Sequence, residues 1–161
     1  MTIHGELLRH LMRHWTTGVT IVTSNHNGNY HGMTVNSFCS LSINPALITV
    51  TLANTTRTHH LVLNSNVFGV TILSTDQQEL ADRFSGKIPE EEDRFKKVEF
   101  FTLTTGAPLI AGGLAHLDCR VAQTISLPES TLFIGEVMAG QRIEDDRPLV
   151  YFNRSYHRLE Q

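Results

Sequence analysis

Asn27-Gly28 stands between two runs of β-forming residues, Gly18 to Ser24 on one side and the chain from Tyr30 onward on the other. Asn-Gly suits the two positive-φ positions of a type I′ turn, whose twist matches that of paired strands, so the chain should reverse here into an antiparallel hairpin. That hairpin is the founding unit to which later strands can add. Short strands recur after it with turn residues between them and only two or three helical stretches, which predicts a mostly antiparallel barrel with helical covers.

The second arm of the hairpin carries an unusual load. From Gly32 to Pro45 it reads Gly-Met-Thr-Val-Asn-Ser-Phe-Cys-Ser-Leu-Ser-Ile-Asn-Pro. Strand side chains alternate between faces, so one continuous strand would direct Thr34, Asn36, Ser40 and Ser42 one way and Val35, Ser37, Cys39 and Leu41 the other. A face of short donors and acceptors beside backbone amides can hydrogen-bond a flat polar ligand without crowding it. An exposed strand with its hydroxyls in water has the same periodicity, and periodicity alone leaves both readings open.

Ile3, Leu7, Leu11 and Trp15 recur at helical spacing, with Leu8 and Met12 widening the stripe, so residues from Ile3 to Trp15 should form a short amphipathic helix capping a barrel end. His10 and His14 share a face of it at metal-chelating spacing, but without a companion Glu or third ligand they read as a solvated face. Leu47 to Leu52 reads as a buried strand. Thr55 or Thr56 can then cap a helix through His59, Leu61 and Val62, whose start places backbone amides and a positive dipole beside Arg57, a ready anion site. Val67 to Leu73 is a strand; Ser74 opens a helix with capping-box chemistry that ends near Gly86. Lys87 to Lys97, with Pro89 and the acidic run from Glu90 to Asp93, reads as a polar loop. Leu114 to Ser126 alternates as a half-buried strand, with Cys119 on the core face and His116, Asp118 and Arg120 outward. Thr131 to Ile143 follows, with Gly135 and Gly140 permitting close approach or a bulge. Leu149 to Phe152 and Tyr156 to Leu159 finish the sheet.

Several function classes are disfavoured. A net charge of −3 without a Lys/Arg run offers no electrostatic footprint for nucleic acid or an anionic membrane surface. No apolar run approaches the roughly 18 residues that span a bilayer, and Met1 leads into a charged amphipathic segment rather than a signal-peptide core. The two cysteines, Cys39 and Cys119, lack metal or redox-motif spacing, so a reducing, cytoplasmic setting is expected. Without a Gly-x-Gly-x-x-Gly or a Gly-x-x-x-x-Gly-Lys-Ser/Thr element, neither a Rossmann nor a P-loop nucleotide site is available. The 161 residues hold no internal repeat or interdomain linker and should form one domain.

A succession of blocks resembles the flavin reductase-like family, the small partners of two-component flavin monooxygenases. They are Thr17 to Thr23, the Gly32 to Pro45 segment, Ser74 to Gly86 with Arg83-Phe84-Ser85-Gly86 at its end, Gly106-Ala107-Pro108-Leu109, Phe133-Ile134-Gly135-Glu136-Val137 and Pro148-Leu149-Val150-Tyr151-Phe152. They occur in the family's order across nearly the whole chain. The resemblance implies an FMN-binding split barrel, a homodimer with flavin near the subunit interface, NADH or NADPH as electron donor, FMN or FAD as acceptor, and a separate monooxygenase that receives the reduced flavin.

By that resemblance Thr34, Val35, Asn36, Ser37, Ser40 and Leu41 would line the isoalloxazine and ribityl chain, largely through main-chain atoms. Arg57, Arg83, Phe84 and Gly86 would take the phosphate end. Tyr151, Phe152, Asn153, Arg154 and Tyr156 would border the nicotinamide. One departure stands out: many members carry Asp-His-Thr where this chain has Glu129-Ser130-Thr131, and the family His approaches the nicotinamide. Ser130 can donate a hydrogen bond but cannot stack or carry charge. The competing expectation is a flavin-holding barrel without fast nicotinamide chemistry, an electron carrier or flavin store. Two others rank below it, a ligand-free dimeric binding domain and a pyridoxamine-phosphate oxidase, for which no second basic phosphate cluster is evident.

Overall fold

The computed structural model describes residues 3–87, 93–143 and 147–159. In chain order its elements are helix α1 (Gly5–Met12), β1 (Thr17–Gly18), β2 (Thr20–His26), β3 (Asn29–Val35), β4 (Cys39–Ser42), β5 (Leu47–Ala53), α2 (Arg57–Ser65) and β6 (Val67–Ile72). A 3-10 turn (Thr75–Gln77), helix α3 (Gln78–Asp82) and a π-type turn (Arg83–Lys87) follow, then β7 (Phe100–Phe101), β8 (Leu109–Ile110), β9 (Ala115–Ser126), β10 (Ser130–Arg142), β11 (Val150–Phe152) and β12 (Ser155–His157). Every strand pairing among the described residues is antiparallel.

The β2–β3 hairpin forms in the expected register, with Asn27 at φ 52° and Gly28 at φ 81° in its turn. It starts a seven-stranded sheet ordered β3-β2-β6-β9-β10-β5-β4. Its two edge strands, β3 and β4, are consecutive in sequence, and that closes the barrel. Laid flat, seven strands would hold the edges about 29 Å apart at about 4.8 Å per spacing. Val35 and Cys39 are separated by three residues and can span at most about 14 Å. The sheet must therefore roll until its edges nearly meet. The strand expected to run unbroken through Ser42 is instead two strands split at Asn36–Phe38, because one strand cannot sit on both edges.

The core lies on two sides of this wall. Val22, Val50, Leu52, Phe68, Val70, Cys119 and Phe133 form one cluster with Val62 of α2. Val19, Ile21, Leu73, Ala81, Phe84, Phe95, Ile110 and Leu149 form the other. Gly135 is required by the first: a Cβ there would fall 2.4 Å from the Phe68 ring, and the β9–β10 register shifts at that point. Burial pushes the Cys119 thiol up to about 12, so it is a protonated core residue.

Several expectations are corrected. The first helix is confined to Gly5–Met12 and buries none of its residues, so it does not seal a barrel end. The single helix expected from Ser74 to Gly86 is three successive turns of different pitch, although the Ser74/Gln77 capping box does form. His116 and Asp118, expected to face outward, are 1% and 0% exposed. The segment bearing β7 and β8 lies over that face: Ile110 O sits 2.7 Å from His116 Nε2, and Thr105 donates its backbone N–H and its hydroxyl to Asp118. The last strands are Val150–Phe152 and Ser155–His157. Of the expected polar loop, residues 88–92 lie outside the described residues, while Arg94 and Phe95 are buried. No helix among the described residues is long and apolar enough to cross a membrane.

Candidate functional site

Where β3 leaves its hairpin partner, it meets the π-type turn and the β11–β12 hairpin. Val19, Thr34, Val35, Asn36, Ser85, Tyr151 and Tyr156 enclose a cavity of about 180 Å³ there. The Thr34 hydroxyl donates to Ala81 O at 2.7 Å, tying the strand to the last turn of α3. Ser85 Oγ donates back to Asp82 O at 2.7 Å, which stabilises the tight turn, and Ser85 and Gly86 are exposed along the rim. Tyr151 and Tyr156 face one another across β11 and β12 with ring centroids 5.6 Å apart. Burial, with the Asp82 carboxylate and Tyr151 adding to it, raises the Tyr156 phenol above its ordinary value, so it is a neutral donor at neutral pH.

Thr34 and Ser85 also wall a second chamber of about 110 Å³, shared with Thr56, Thr58, Phe84, Gly86 and Arg94. Arg94 is 3% exposed, and its Nη1 donates to Gly32 O at 3.0 Å and Phe84 O at 3.3 Å, so one cation fastens β3 to the π-type turn. Thr58 Oγ1 lies 2.8 Å from His31 Nδ1. Thr56 caps α2 by accepting from His59 N at 3.3 Å, as expected of one of the two threonines. Gly86, at φ 85°, turns the chain beside Arg94, where a side chain would be strained.

Two more open cavities adjoin the first. One, of about 600 Å³, lies between Asp82, Lys87 and the Tyr151–Tyr156 face. The other, of about 480 Å³, lies between α1 and the β11–β12 turn and shares Asn36 and Tyr151 with the first cavity.

The residues singled out from sequence thus divide. Thr34, Val35, Asn36, Phe84, Gly86, Tyr151, Asn153, Arg154 and Tyr156 line this chain of cavities. The others line none of the four. Ser37 is committed to β5, donating to Thr51 O and accepting from Thr51 N. Ser40 and Leu41 lie on β4, exposed, across from the β5 edge. Arg57 is exposed at the start of α2, and Arg83 turns away to donate to Lys96 O at 2.8 Å. Phe152 is on the opposite face of β11 from Tyr151 and packs near His157. Ser130 begins β10, in register with Ala53, on the strand end beside α2. Sequence reasoning missed Arg94, Thr58 and Ser85 as wall residues. Ser85 lay within a quoted block; Arg94 follows an acidic run that reads as solvated.

The arrangement can hold a flat, polar, anionic ligand. Hydroxyls and amides line one wall, tyrosines the other, and a buried arginine stands at the narrow end. Among the described residues no group of three metal-ligating side chains occurs.

Comparison with known proteins gives the same ligand class. The profile of the family described as flavin reductase like domain matches residues 12–160. The reductase component of an FADH2-dependent resorcinol hydroxylase from Rhizobium sp. (strain MTP-10005) is 36% identical over 154 residues, covering 94% of this chain and 86% of that protein. The NADH-dependent FMN reductase RutF of Bradyrhizobium diazoefficiens is 33% identical over 139 residues, 86% of this chain and 77% of its own. Among solved structures, the NADH:FAD oxidoreductase SgcE6 of Streptomyces globisporus C-1027, in complex with NAD and FAD fragments, superposes with a TM-score of 0.89 at 28% identity, over 99% of this chain and 97% of that one.

Proposed function

The chain belongs to the flavin reductase like domain family, and on that premise we propose that the cleft from Arg94 past Thr34 to Tyr151 and Tyr156 is where it holds its flavin and nicotinamide. The protein is an NADH-dependent flavin reductase: it passes hydride to FMN or FAD and supplies reduced flavin to a separate monooxygenase component. The observation that carries the site assignment is the continuity of the cleft, whose two cavities share Thr34 and Ser85, with hydroxyl-bearing residues on one side and the paired tyrosines on the other.

A bound flavin supplies the electron sink, so the protein needs no acid-base dyad of its own. What the chain supplies is position. Thr34, Val35 and Asn36 present the strand edge to the ring system, and the buried Arg94, Gly86 and the hydroxyls of Thr56 and Thr58 favour the phosphate end. Tyr151 and Tyr156 border the nicotinamide and keep water from the reacting faces. Holding two planar reactants in contact removes much of the entropic barrier to transfer between them.

The reading includes a homodimer. The apolar face of α1, with Leu7, Leu8 and Leu11 about half exposed, and Ile125 and Leu127 at the β9–β10 tip are the surfaces such a pairing would cover. It also places the protein in the cytoplasm, in keeping with two free cysteines.

Anaerobic stopped-flow absorbance of the protein mixed with FMN or FAD and then NADH tests the reading. Bleaching on a turnover timescale is expected from the parent chain, with Ser130 in place. Bleaching confined to a Ser130→His variant would instead favour a flavin-holding barrel that lacks fast nicotinamide chemistry.

A further inference from the structure

The narrow chamber beside Arg94 is walled by four hydroxyl residues, Thr34, Thr56, Thr58 and Ser85. A hydroxyl has one proton to donate, and an ionised phosphate offers only acceptor oxygens. Three of the four protons are already committed. Thr34 donates to Ala81 O at 2.7 Å, Ser85 to Asp82 O at 2.7 Å and Thr56 to Ala53 O at 2.9 Å.

Thr58 is the exception. Among the described residues its hydroxyl has one partner, Nδ1 of His31 at 2.8 Å, and an imidazole nitrogen can take either role. If Nδ1 is bare it accepts, the Thr58 proton is consumed as well, and only lone pairs face the chamber. If Nδ1 carries a proton it donates, and the Thr58 proton can turn to a ligand. His31 on β3 and Thr58 in the first turn of α2 are 4% and 0% exposed, so bulk water does not stand in for either partner.

We propose that His31 is a positioning residue for the flavin phosphate: its Nδ1–H donates to Thr58 Oγ1 and so keeps the Thr58 hydroxyl as a donor to the phosphate. The inference rests on the reading that puts the phosphate end of the flavin in this chamber, and narrows it to one of the chamber's hydroxyls. A neutral imidazole meets the requirement by carrying its single proton on Nδ1, so no net proton is taken up. A hydrogen bond to an ionised group is stronger than one between neutral groups, so a bound phosphate favours this tautomer. The same contact holds β3 against the start of α2, where the N–H groups of Arg57 and Thr58 have no intrahelical acceptor and the helix dipole favours an anion.

Two variants separate this role from a merely structural one. His31→Asn retains a side-chain N–H near the place of Nδ1, while His31→Leu fills the space without a donor. The readout is the ratio of FMN to riboflavin affinity by fluorescence quenching, since riboflavin lacks the phosphate. His31→Leu is expected to lower that ratio about tenfold with riboflavin affinity held, and His31→Asn to recover most of the loss. In a Thr58→Val background, His31→Leu should leave the ratio where Thr58→Val alone puts it. Nitrogen-15 shifts of His31 in the parent with FMN bound should show a protonated Nδ1, and this decides the matter if the variants fail to fold. A ratio within about twofold of the parent in His31→Leu, equal losses in His31→Leu and His31→Asn, or a bare Nδ1 in the FMN complex would overturn the proposal. A parent that binds FMN no more tightly than riboflavin would overturn the placement of the phosphate in this chamber, and the role of His31 with it.

Discussion

The hydroxyl of Ser37 occupies the place of a strand neighbour for Thr51: it donates to Thr51 O at 2.9 Å and accepts from Thr51 N at 3.1 Å. The pair continues the β4–β5 ladder beyond Cys39, where the chain has already left the edge to cross from β3. One side chain thus ties the crossing between the two edge strands to β5, and the cleft opens beside that crossing at Asn36.

Ser37→Ala is therefore expected to act on stability. It leaves two half-buried backbone groups of Thr51 without their partner, at about 1–3 kcal/mol. Denaturant unfolding should show that loss.

Arg94→Gln should damage both fold and site. The cation grips carbonyls on two elements, and hydrogen bonds to a charged group contribute about 1.5–3 kcal/mol. Flavin titration by fluorescence quenching is expected to show affinity lowered about tenfold or more, in parallel with a lower unfolding midpoint. Arg83→Gln, whose parent side chain turns out to Lys96 O, should leave flavin affinity nearly unchanged.

Gly135→Ala should be severely destabilising for so small a change. The new methyl would meet the ring of Phe68, itself 0% exposed, and the Cβ of Cys119. Overpacking of this kind costs about 1–3 kcal/mol, read as a lower midpoint in the same unfolding assay.

Stability should also decline below about pH 6.5. Burial lowers the pKa of both His59 and His116 below the usual 6.5, against which the Ile110 carbonyl only partly restores His116. A depressed folded-state value means the unfolded chain takes up more protons, so the stability present above pH 6.5 is lost as pH falls toward the folded values. Urea midpoints measured from pH 7.5 to 5 should fall, and a His116→Gln variant should show a shallower slope. A flat profile in the parent would remove both histidines from the account.

Much of the barrel was legible along the chain. Asn27-Gly28 determined the founding hairpin, apolar runs and alternation located the longer strands though not β7 or β8, and the capping residues Thr56 and Ser74 located two helix starts, because each of these is a local property of backbone and neighbours. The stretch from Thr34 to Ser42 announced itself as unusual by its hydroxyls, and the family blocks announced the flavin. What periodicity could not show is that this stretch divides at Asn36, with Thr34 on one edge strand lining the cleft and Ser40 on the other edge strand, outside it.

That division, and the choice among arginines, belonged to the tertiary structure. By sequence Arg57 and Arg83 were the natural anion ligands, one at a helix start and one in a recognisable block. Folding turns both out of the cleft and buries Arg94 instead, where it holds Gly32 and Phe84 together. Hydrogen-bonding pattern and alternation are encoded over a few residues, so the sequence by itself determined the strands and their class. Which side chains meet in a cavity depends on where a rolled sheet brings residues 34, 85, 94 and 151 together, and only the closure of the barrel decided it.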